Sequence, residues 1–428
     1  MLSKAENDLL TQTNSGTGAG EYFRRYWIPA LMASEVPTPD CPPVRIRLLG
    51  EDLIAFRDTN GRVGLMDEFC PHRRASLFWG RNEECGLRCV YHGWKFDVTG
   101  VCVDMPNEPP EYGFDNKVRI SAYPTREYGG LIWTHMGPPD KTPELPKMEW
   151  ARVPDSHRYV SKRLQECNYL QALEGGVDSS HSNFLHASVD AFRVTDSYVA
   201  KIRTSSNLRA KYHLLDKAPR FTVKKTDYGL VIAVRRNAEE NTYYWRMTQF
   251  LLPSYTIIPY QKGNSIHGHC WVPRDDETCW IWTYTWNPDG PLSQEDLDAI
   301  ANETFVHAKV EPGTLRPIRN KSNNYGIDRE LQRTTTMTGI HGFASQDQAI
   351  QESMGTIVDR TTERLGTSDT AIIATRRLLL QEIHALQQGK EPPAANSGDS
   401  YWVRSCSLVL NREVEFDEGA REMMIAGV

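Results

Sequence analysis

The stretch CPHRRASLFWGRNEECGLRCVYHGW at residues 70–94 decides the fold of the first half of the chain. It holds two motifs, CPH at 70–72 and CVYH at 89–92, and each motif pairs one cysteine with one histidine. A 2Fe-2S cluster with two thiolates on one iron and two imidazoles on the other needs this mixed donor set. The spacing therefore predicts two facing loops that each supply one thiolate and one imidazole.

A structural zinc site and a pair of buried cysteines beside unrelated histidines are the alternatives for these motifs. Zinc also accepts two cysteines and two histidines. Zinc fingers, however, usually pair cysteine with cysteine on one arm and histidine with histidine on the other. The mixed pairs favour the iron–sulfur cluster.

Short β-branched and apolar runs surround the two motifs. VRIRLL begins at Val44 and DLIAF at Asp52, and the Asn60-Gly61 pair before VGLMDEF favours a hairpin turn. Pro138, Pro139 and Pro143 then mark a linker. The pattern predicts a small all-β domain at residues 41–140, preceded by an N-terminal arm or helix at 1–40.

The second half of the chain alternates strand-like and helix-like segments. Strands are predicted within 242–252, 254–260, 265–272 and 279–286, and amphipathic helices at 345–366 and 367–389. Helices flanking an antiparallel sheet make an α+β fold, here a helix-grip-like one. We expect this larger domain at residues 141–398 and a C-terminal tail at 399–428.

Composition excludes several classes of partner. The 428 residues carry a net charge of −6 without a clustered basic stripe, so nucleic acid is not expected. No stretch reads as a signal peptide or a membrane span. Nine cysteines without disulfide-framework spacing fit a reducing compartment. We expect a cytoplasmic protein with no membrane partner.

A second group of candidate ligands lies in the helix-like stretch 165–186. Asp178, His181 and His186 have the spacing D-x2-H-x4-H. On an ideal helix His186 would lie about 140° from His181, so an irregularity is expected between Ser182 and Leu185. Two histidines and a carboxylate leave open positions on an iron that activates dioxygen. The alternative is a packed or exposed histidine pair without a metal.

The runs CPHRRASLFWG and CVYHGWKFDVTG resemble the Rieske module of ring-hydroxylating and demethylating oxygenases. The resemblance implies that the cysteines bind one iron of a 2Fe-2S cluster and the histidines the other: Cys70, Cys89, His72 and His92. It also implies that D-x2-H-x4-H holds a mononuclear Fe(II) through His181 and His186.

The third iron ligand should be a carboxylate from far along the chain. Asp328, Asp347 and Asp359 are the candidates, and SQDQAIQESMG at 345–355 resembles the family helix that begins at this ligand. The resemblance implies Asp347. The alternative for Asp347 is an acid placed near a helix N-terminus by the helix dipole.

Two further acidic residues receive catalytic roles. The resemblance implies that Asp178 bridges His181 to the cluster ligand His92 of a neighbouring subunit, which requires a ring such as a homotrimer or a dimer of trimers. Glu174, one turn before Asp178, is expected to tune it, with an ordinary surface glutamate as the alternative.

FRRYWIPALMASEVP at 23–37 and CNYLQALEGG at 167–176 most resemble the phthalate dioxygenase group. This implies dihydroxylation of an aromatic carboxylate by O2, with NAD(P)H electrons delivered by a separate reductase carrying flavin and 2Fe-2S. O-demethylation of a methoxylated aromatic acid such as dehydrodivanillate is the alternative. A Rieske electron-transfer protein without oxygenase activity is the alternative of another class.

An anionic substrate calls for a fixed cation, because the planar guanidinium matches a carboxylate. Arg246 is the predicted contact, with Arg193 and Arg203 as alternatives. His267 and His269 alternate along a predicted strand and are expected in a pocket wall or on the sheet surface.

Overall fold

A computed structural model describes residues 2–203 and 205–427. The chain forms two compact units. The small unit comprises Gln12–Leu145 and Val272–Asp276, and the large unit comprises Met1–Thr11, Pro146–Trp271 and Glu277–Val428. No helix in the described part of the chain combines the length and the apolar composition that a bilayer span requires.

The described chain contains both strands and α-helices, and strands predominate in the small unit. The strands are β1 (Trp27–Met32), β2 (Val44–Leu48), β3 (Glu51–Arg57), β4 (Val63–Asp67), β5 (Arg81–Glu83), β6 (Gly86–Arg88), β7 (Lys95–Phe96), β8 (Cys102–Asp104), β9 (Ala122–Tyr123), β10 (Thr125–Tyr128), β11 (Leu131–His135), β12 (Arg158–Gln165), β13 (Arg220–Lys225), β14 (Gly229–Asn237), β15 (Thr242–Leu251), β16 (Tyr255–Ile258), β17 (Ile266–Pro273), β18 (Cys279–Trp286) and β19 (Cys406–Asn411). The α-helices are α1 (Lys4–Thr11), α2 (Gly18–Phe23), α3 (Glu149–Arg152), α4 (Tyr169–Val177), α5 (Val189–Arg193), α6 (Asp196–Arg203), α7 (Leu208–Leu215), α8 (Gln294–Ala301), α9 (Arg329–Thr334), α10 (Phe343–Ser353), α11 (Thr370–Gln387) and α12 (Phe416–Gly419).

The small unit is built from antiparallel sheets, as the short β-branched runs predict. Two sheets have the strand orders β2-β3-β4-β9 and β5-β6-β7-β8, and a third joins β1, β11 and β10. The β3–β4 hairpin turns at Asn60-Gly61, where Gly61 has φ +79. The CPH loop follows β4, and the CVYH loop joins β6 to β7. A buried apolar core that includes Ile54, Leu87 and Phe96 packs beneath both loops.

The large unit contains an antiparallel sheet with the order β12-β18-β17-β16-β15-β14-β13, and β19 pairs with β15. The predicted strands at 242–252 and 279–286 form as β15 and β18. The long helix α11 packs against β13, β14 and α4. An antiparallel sheet with helices packed on it confirms the α+β prediction.

Two predicted helices differ in extent. The helix expected at 165–186 is shorter, because β12 runs to Gln165 and Asp178 adopts an extended backbone with ψ 115 that ends α4. The helix expected at 345–366 ends at Ser353, before Gly355 with φ +94.

The chain ends also differ from the predicted arm and tail. The arm of residues 1–40 is divided between the two units. α1 packs in the large unit, where Asn168 and Tyr169 donate hydrogen bonds to carbonyls of its last turn. The tail of residues 399–428 contributes β19 to the sheet.

Candidate functional site

The CPH and CVYH loops share one backbone geometry. In the first loop, the Cys70 amide donates to the carbonyl of Ala75 and the Arg74 amide donates to the carbonyl of Cys70. Cys89, Trp94 and Gly93 form the same two hydrogen bonds in the second loop. Each loop reverses through a left-handed residue, Arg74 with φ +59 and Gly93 with φ +85. The cysteine therefore opens each loop at an equivalent position.

The two cysteines lie buried beside each other beneath the loops. The Cys70 thiol donates a hydrogen bond to the Cys89 sulfur, and the backbone N–H groups of Tyr91 and His92 also donate to that sulfur. The hydrogen bond between the two cysteines lowers the pKa of Cys89 and raises that of Cys70, because the shared proton rests on Cys70. In the first loop, the His72 amide donates to the Cys70 sulfur. Both sulfurs thus face backbone donors that stabilise thiolates.

The two histidines converge above the sulfurs. The ring centroids of His72 and His92 are 4.4 Å apart, and the ring planes meet at 66°. The Nδ1 atoms of both rings are buried and have no hydrogen-bond partner among the described residues. Trp94 stacks on His72 at 4.4 Å and donates its indole N–H to Asn107 at 2.7 Å.

This donor set fits a 2Fe-2S cluster with mixed ligands. A buried polar nitrogen without a partner is costly, so two such atoms on facing rings indicate that these nitrogens serve as ligands. Two neighbouring sulfurs supply the thiolates of one iron, and the two free Nδ1 atoms supply the imidazoles of the other.

The second group of ligands converges in the large unit. Asp347 Oδ1 lies 3.3 Å from His186 Nε2 and 3.7 Å from His181 Nε2. One ligand atom from each of the three residues lies within 4.8 Å of the other two. Two imidazoles and one carboxylate on one side of an ion leave positions open for other ligands. The three groups therefore fit a mononuclear iron.

The helix α4 ends before either histidine, so the segment between the two histidines is not a regular α-helix. α4 ends at Val177, a 3₁₀ turn spans His181–Asn183, and Phe184 has φ −120 and ψ −62. This break includes the irregularity predicted between Ser182 and Leu185. Because of it, residues five positions apart direct their rings at one point.

Asp178 lies behind His181 and not at the convergence point. Its carboxylate accepts a hydrogen bond from His181 Nδ1 at 3.3 Å and from the Ser180 amide at 2.6 Å. Burial opposes ionisation of Asp178, but the hydrogen bond and charge of His181 lower its pKa. Burial likewise opposes the charge on His181, while Asp178 and Asp347 raise its pKa. The pair keeps Nε2 of His181 directed at Asp347.

The other candidate carboxylates lie elsewhere. Asp328 caps α9 by accepting hydrogen bonds from the amides of Glu330 and Leu331. Asp359 accepts hydrogen bonds from Thr361. Asp347 is the fifth residue of α10, so the alternative of an acid in the first helical turn does not describe it.

Glu174 does not reach Asp178 through its side chain. Its carboxylate is buried and accepts hydrogen bonds from Arg360 at 3.1 Å and from Arg376 at 2.6 Å. Only its backbone carbonyl contacts Asp178, by accepting the Asp178 amide hydrogen. Through Arg376 this carboxylate joins α4 to α11, and its expected tuning of Asp178 stays a prediction.

A cavity of about 830 Å³, including its open mouth, adjoins the three converging groups. His181, His186 and Asp347 line it, together with apolar and aromatic side chains. The apolar lining residues are Ile258, Pro259, Trp271, Ile281, Phe305, Val306 and Phe343. His269 lines the wall, whereas His267 forms a hydrogen bond of 2.9 Å to Thr285.

Arg246, the expected substrate contact, lines this cavity, and so does Arg209. Burial and the charge of Arg246 lower the pKa of Arg209 to about 10. Arg236 lies behind them, where burial and Arg246 lower its pKa to about 9. Within residues 2–203 and 205–427, none of these three arginines forms an ion pair. The side chain of the alternative candidate Arg203 lies outside the described residues.

The sequence patterns do not predict three residues of this region, namely Arg209, Arg236 and Gln346. Arg209 and His213 lie one turn apart on α7, and this spacing is the only signal that the sequence offers for Arg209. Gln346 contacts His186 and immediately precedes Asp347. Nothing in the local pattern distinguishes it from other polar residues of α10.

Two family models match the chain. Residues 26–124 match the Rieske [2Fe-2S] domain, and residues 134–409 match the LigXa C-terminal domain like family. Among solved structures, dicamba monooxygenase bound to dicamba shares the fold with a TM-score of 0.58 at 18% identity. That comparison covers 86% of this chain and 99% of the other.

Curated relatives cover nearly the whole chain. The phthalate 4,5-dioxygenase oxygenase subunit of Pseudomonas putida is 42% identical over 97% of this chain and 94% of its own length. The 3-chlorobenzoate-3,4-dioxygenase oxygenase subunit of Comamonas testosteroni is 38% identical over the full length of both. The 5,5'-dehydrodivanillate O-demethylase oxygenase subunit of Sphingobium sp. is 33% identical over 92% of this chain and 83% of its own length.

Proposed function

Because the chain belongs to the Rieske non-haem iron oxygenases, as the oxygenase component of a multicomponent system, we propose that it dihydroxylates an aromatic carboxylate. A 2Fe-2S cluster and a mononuclear iron are its cofactors, and a separate reductase or ferredoxin supplies the electrons. When bound, the cluster passes single electrons and the iron activates dioxygen.

The charge of the cavity is the observation that carries the proposed substrate class. Arg209 and Arg246 line the cavity, and Arg236 lies behind them, without an ion pair in the described chain. The charge of Asp347 acts on Arg209 and that of Asp216 on Arg236, each opposing the lowered pKa, but Asp347 is assigned to the iron in this proposal. A buried excess of guanidinium groups favours an anionic ligand, because bidentate carboxylates restore the lost hydration.

The apolar wall supports an aromatic body for this anion. Trp271, Phe305 and Phe343 line the same cavity as the two arginines. Aromatic side chains supply a large apolar surface against which a ring packs. In this proposal the arginines hold the carboxylate, while the wall directs the ring towards the iron ligands and excludes water.

The ligand assignments belong to the same proposal. One iron of the cluster takes two thiolates and the other takes two imidazoles, from Cys70, Cys89, His72 and His92. The mononuclear iron takes two imidazoles and a carboxylate, from His181, His186 and Asp347.

We also propose a ring-shaped homo-oligomer, a homotrimer or a dimer of trimers, in which Asp178 meets His92 of a neighbouring subunit. Asp178 already accepts a hydrogen bond from His181, so a second imidazole on the same carboxylate would join the two metal centres. The electron donor in this proposal is a reductase with flavin and 2Fe-2S, fed by NAD(P)H. Nine free cysteines support a cytoplasmic location, where thiols stay reduced.

The test supplies the purified, iron-loaded protein with a reductase, NADH and a panel of aromatic acids. Phthalate and chlorobenzoates report ring dihydroxylation as a cis-diol, whereas methoxylated benzoates and dehydrodivanillate report O-demethylation as formaldehyde. We expect a diol from at least one acid and no turnover of the matching neutral amide. Formaldehyde alone would replace dihydroxylation with O-demethylation, which the similarity to the dehydrodivanillate enzyme supports as second candidate. Equal turnover of acids and amides would reject the carboxylate.

A further inference from the structure

The histidine ligands of the large unit have outer hydrogen-bond partners of different charge. His181 contacts the carboxylate of Asp178 through Nδ1. His186 contacts the side-chain amide of Gln346, with 2.7 Å between His186 Nδ1 and Gln346 Oε1. One ring therefore has an anionic partner and the other has a neutral one.

The orientation of the Gln346 amide follows from its second contact. Its Nε2 lies 2.8 Å from the backbone carbonyl oxygen of Ile340. A carbonyl oxygen only accepts, so the NH2 end of the amide must face Ile340. The oxygen end then faces His186, and it too only accepts. His186 Nδ1 must therefore carry the hydrogen, and in the neutral ring this leaves Nε2 without one.

The same ring is held in place on its face. Phe343 stacks on His186 with ring centroids 4.3 Å apart and planes 17° from parallel. Phe343, Gln346 and the ligand Asp347 all belong to α10. Gln346 is 5% exposed, and water therefore does not compete for its contact with the imidazole.

We propose that Gln346 is a positioning residue of the metal centre: it fixes the tautomer of His186 so that Nε2 is free to bind the ion. The inference rests on the assignment of His181, His186 and Asp347 as the ligands. Outer hydrogen bonds of this kind orient metal-binding histidines, and their loss typically lowers metal affinity by about 10- to 100-fold.

The experiment measures Co(II) binding to the full-length protein after removal of the mononuclear metal, with the cluster intact and oxidised. Competition with a chelator gives the dissociation constant, and electron paramagnetic resonance of high-spin Co(II) reports the ligand geometry. The variants are Gln346→Leu, which removes the acceptor, and Gln346→Glu, which keeps one. Gln348→Leu is the matched control, because Gln348 is a buried glutamine of the same helix that donates to Glu352 and not to a histidine.

We expect Gln346→Leu to bind Co(II) about 10- to 100-fold more weakly with an altered spectrum. Gln346→Glu should bind more tightly than Gln346→Leu, and Gln348→Leu should match the unmodified protein. Equal affinity of the two leucine variants, or no recovery with glutamate, would overturn the role of Gln346. Asp347→Ala separates the premise from the inference: if it still binds Co(II) with native affinity and spectrum, the ligand assignment itself fails.

Discussion

The positive charges of individual arginines determine which ligands suit the large cavity. Arg209, Arg236 and Arg246 approach one another closely enough that the charge of Arg246 depresses the pKa of the other two. Burying like charges together is unfavourable unless a ligand of opposite charge joins them. The three arginines therefore destabilise the folded protein when no anionic ligand is bound, and such a ligand would relieve their repulsion.

Replacing either cavity arginine should weaken substrate binding more than turnover. We expect Arg246→Gln and Arg209→Gln each to raise the KM for an aromatic acid roughly 10- to 100-fold, because each removes a hydrogen bond to a charged group. Steady-state kinetics with metal analysis measures this. Arg235→Gln is the control, since Arg235 lies on β14 with its guanidinium over the Tyr243 ring. An equal effect of Arg235→Gln, or an equal effect on a neutral amide substrate, would contradict charge recognition.

Local spacing points to the candidate ligands of the short motifs, family resemblance to Asp347 and the need for a cation to Arg246, whereas other residues that meet only in the fold were missed. The two cysteine–histidine pairs and the D-x2-H-x4-H run are short, so the residue types and spacing reveal them. Arg209, Arg236 and Gln346 lie on three separate elements with no shared motif. The spacing of Glu174 from Asp178 likewise does not report the ion pairs that its carboxylate forms with Arg360 and Arg376.

At the scale of elements, the two loops of the small unit depend on backbone shape as much as on ligands. The second loop requires Gly93 because its φ of +85 is left-handed and because a Cβ atom there would lie 2.5 Å from Cγ of Pro106. Gly61, in the β3–β4 turn, has a similar φ of +79, but a Cβ atom at this position would meet no other atom within 4 Å. A comparison of substitutions at the two glycines therefore distinguishes the cost of a left-handed backbone from the cost of a steric clash.

We expect Gly93→Ala to lose the cluster and Gly61→Ala to keep it. Each substitution should cost about 1–2 kcal/mol for the left-handed backbone. Only Gly93→Ala must also displace Pro106 or the loop, which moves Cys89 and His92. Acid-labile sulfide and visible absorbance per chain measure the cluster, and thermal unfolding measures the common cost. A full cluster in Gly93→Ala, or the same loss in both variants, would show that the close contact is unimportant.

Helix α4 is fixed by buried ion pairs of Glu174, a residue that the sequence suggested would have a catalytic role. Glu174→Gln should lower the free energy of unfolding by about 3–5 kcal/mol, because within the described chain it leaves Arg360 buried without a carboxylate and leaves Arg376 with Glu363 alone. Urea denaturation at pH 7 measures this loss. Glu382→Gln is the control, since its partner Lys225 is 61% exposed and such pairs contribute at most about 1 kcal/mol.

The same pair predicts a response to acid. Burial opposes ionisation of Glu174, but Arg360 and Arg376 lower its pKa below the ordinary 4.5. The ion pair therefore stabilises the protein fully above pH 4.5, and this contribution is lost as the pH falls through the folded-state pKa. The stability difference between the native protein and Glu174→Gln should shrink below pH 4.5. A difference that stays constant from pH 7 down to pH 3 would exclude a lowered pKa of Glu174 in the folded protein.

The sequence predicts the types of the secondary-structure elements well, but it does not predict where the elements end. β15 and β18 form where alternating apolar runs predict them. α4 and α10 end early because Asp178 is held by His181 and Ser180, and because Gly355 has a left-handed backbone. Those contacts are tertiary or conformational, so helical periodicity does not report them.

At the scale of the whole molecule, the proposed ring predicts that turnover requires residues from two neighbouring subunits. If electrons pass from the cluster of one subunit to the iron of its neighbour, two inactive variants should complement each other in one ring. A chain with His92→Ala keeps the mononuclear site, and a chain with Asp347→Ala keeps the cluster. Their shared ring contains boundaries at which an intact cluster faces an intact iron.

Co-expression of the two variants with different affinity tags, followed by purification through both tags, tests this route. Random mixing of equal amounts places a working pair at about one boundary in four, so the unselected mixture should show about a quarter of native turnover. Each variant alone should be nearly inactive. If doubly tagged rings contain both intact centres yet remain inactive, the electrons must pass within one chain, and Asp178 then cannot act across the subunit boundary.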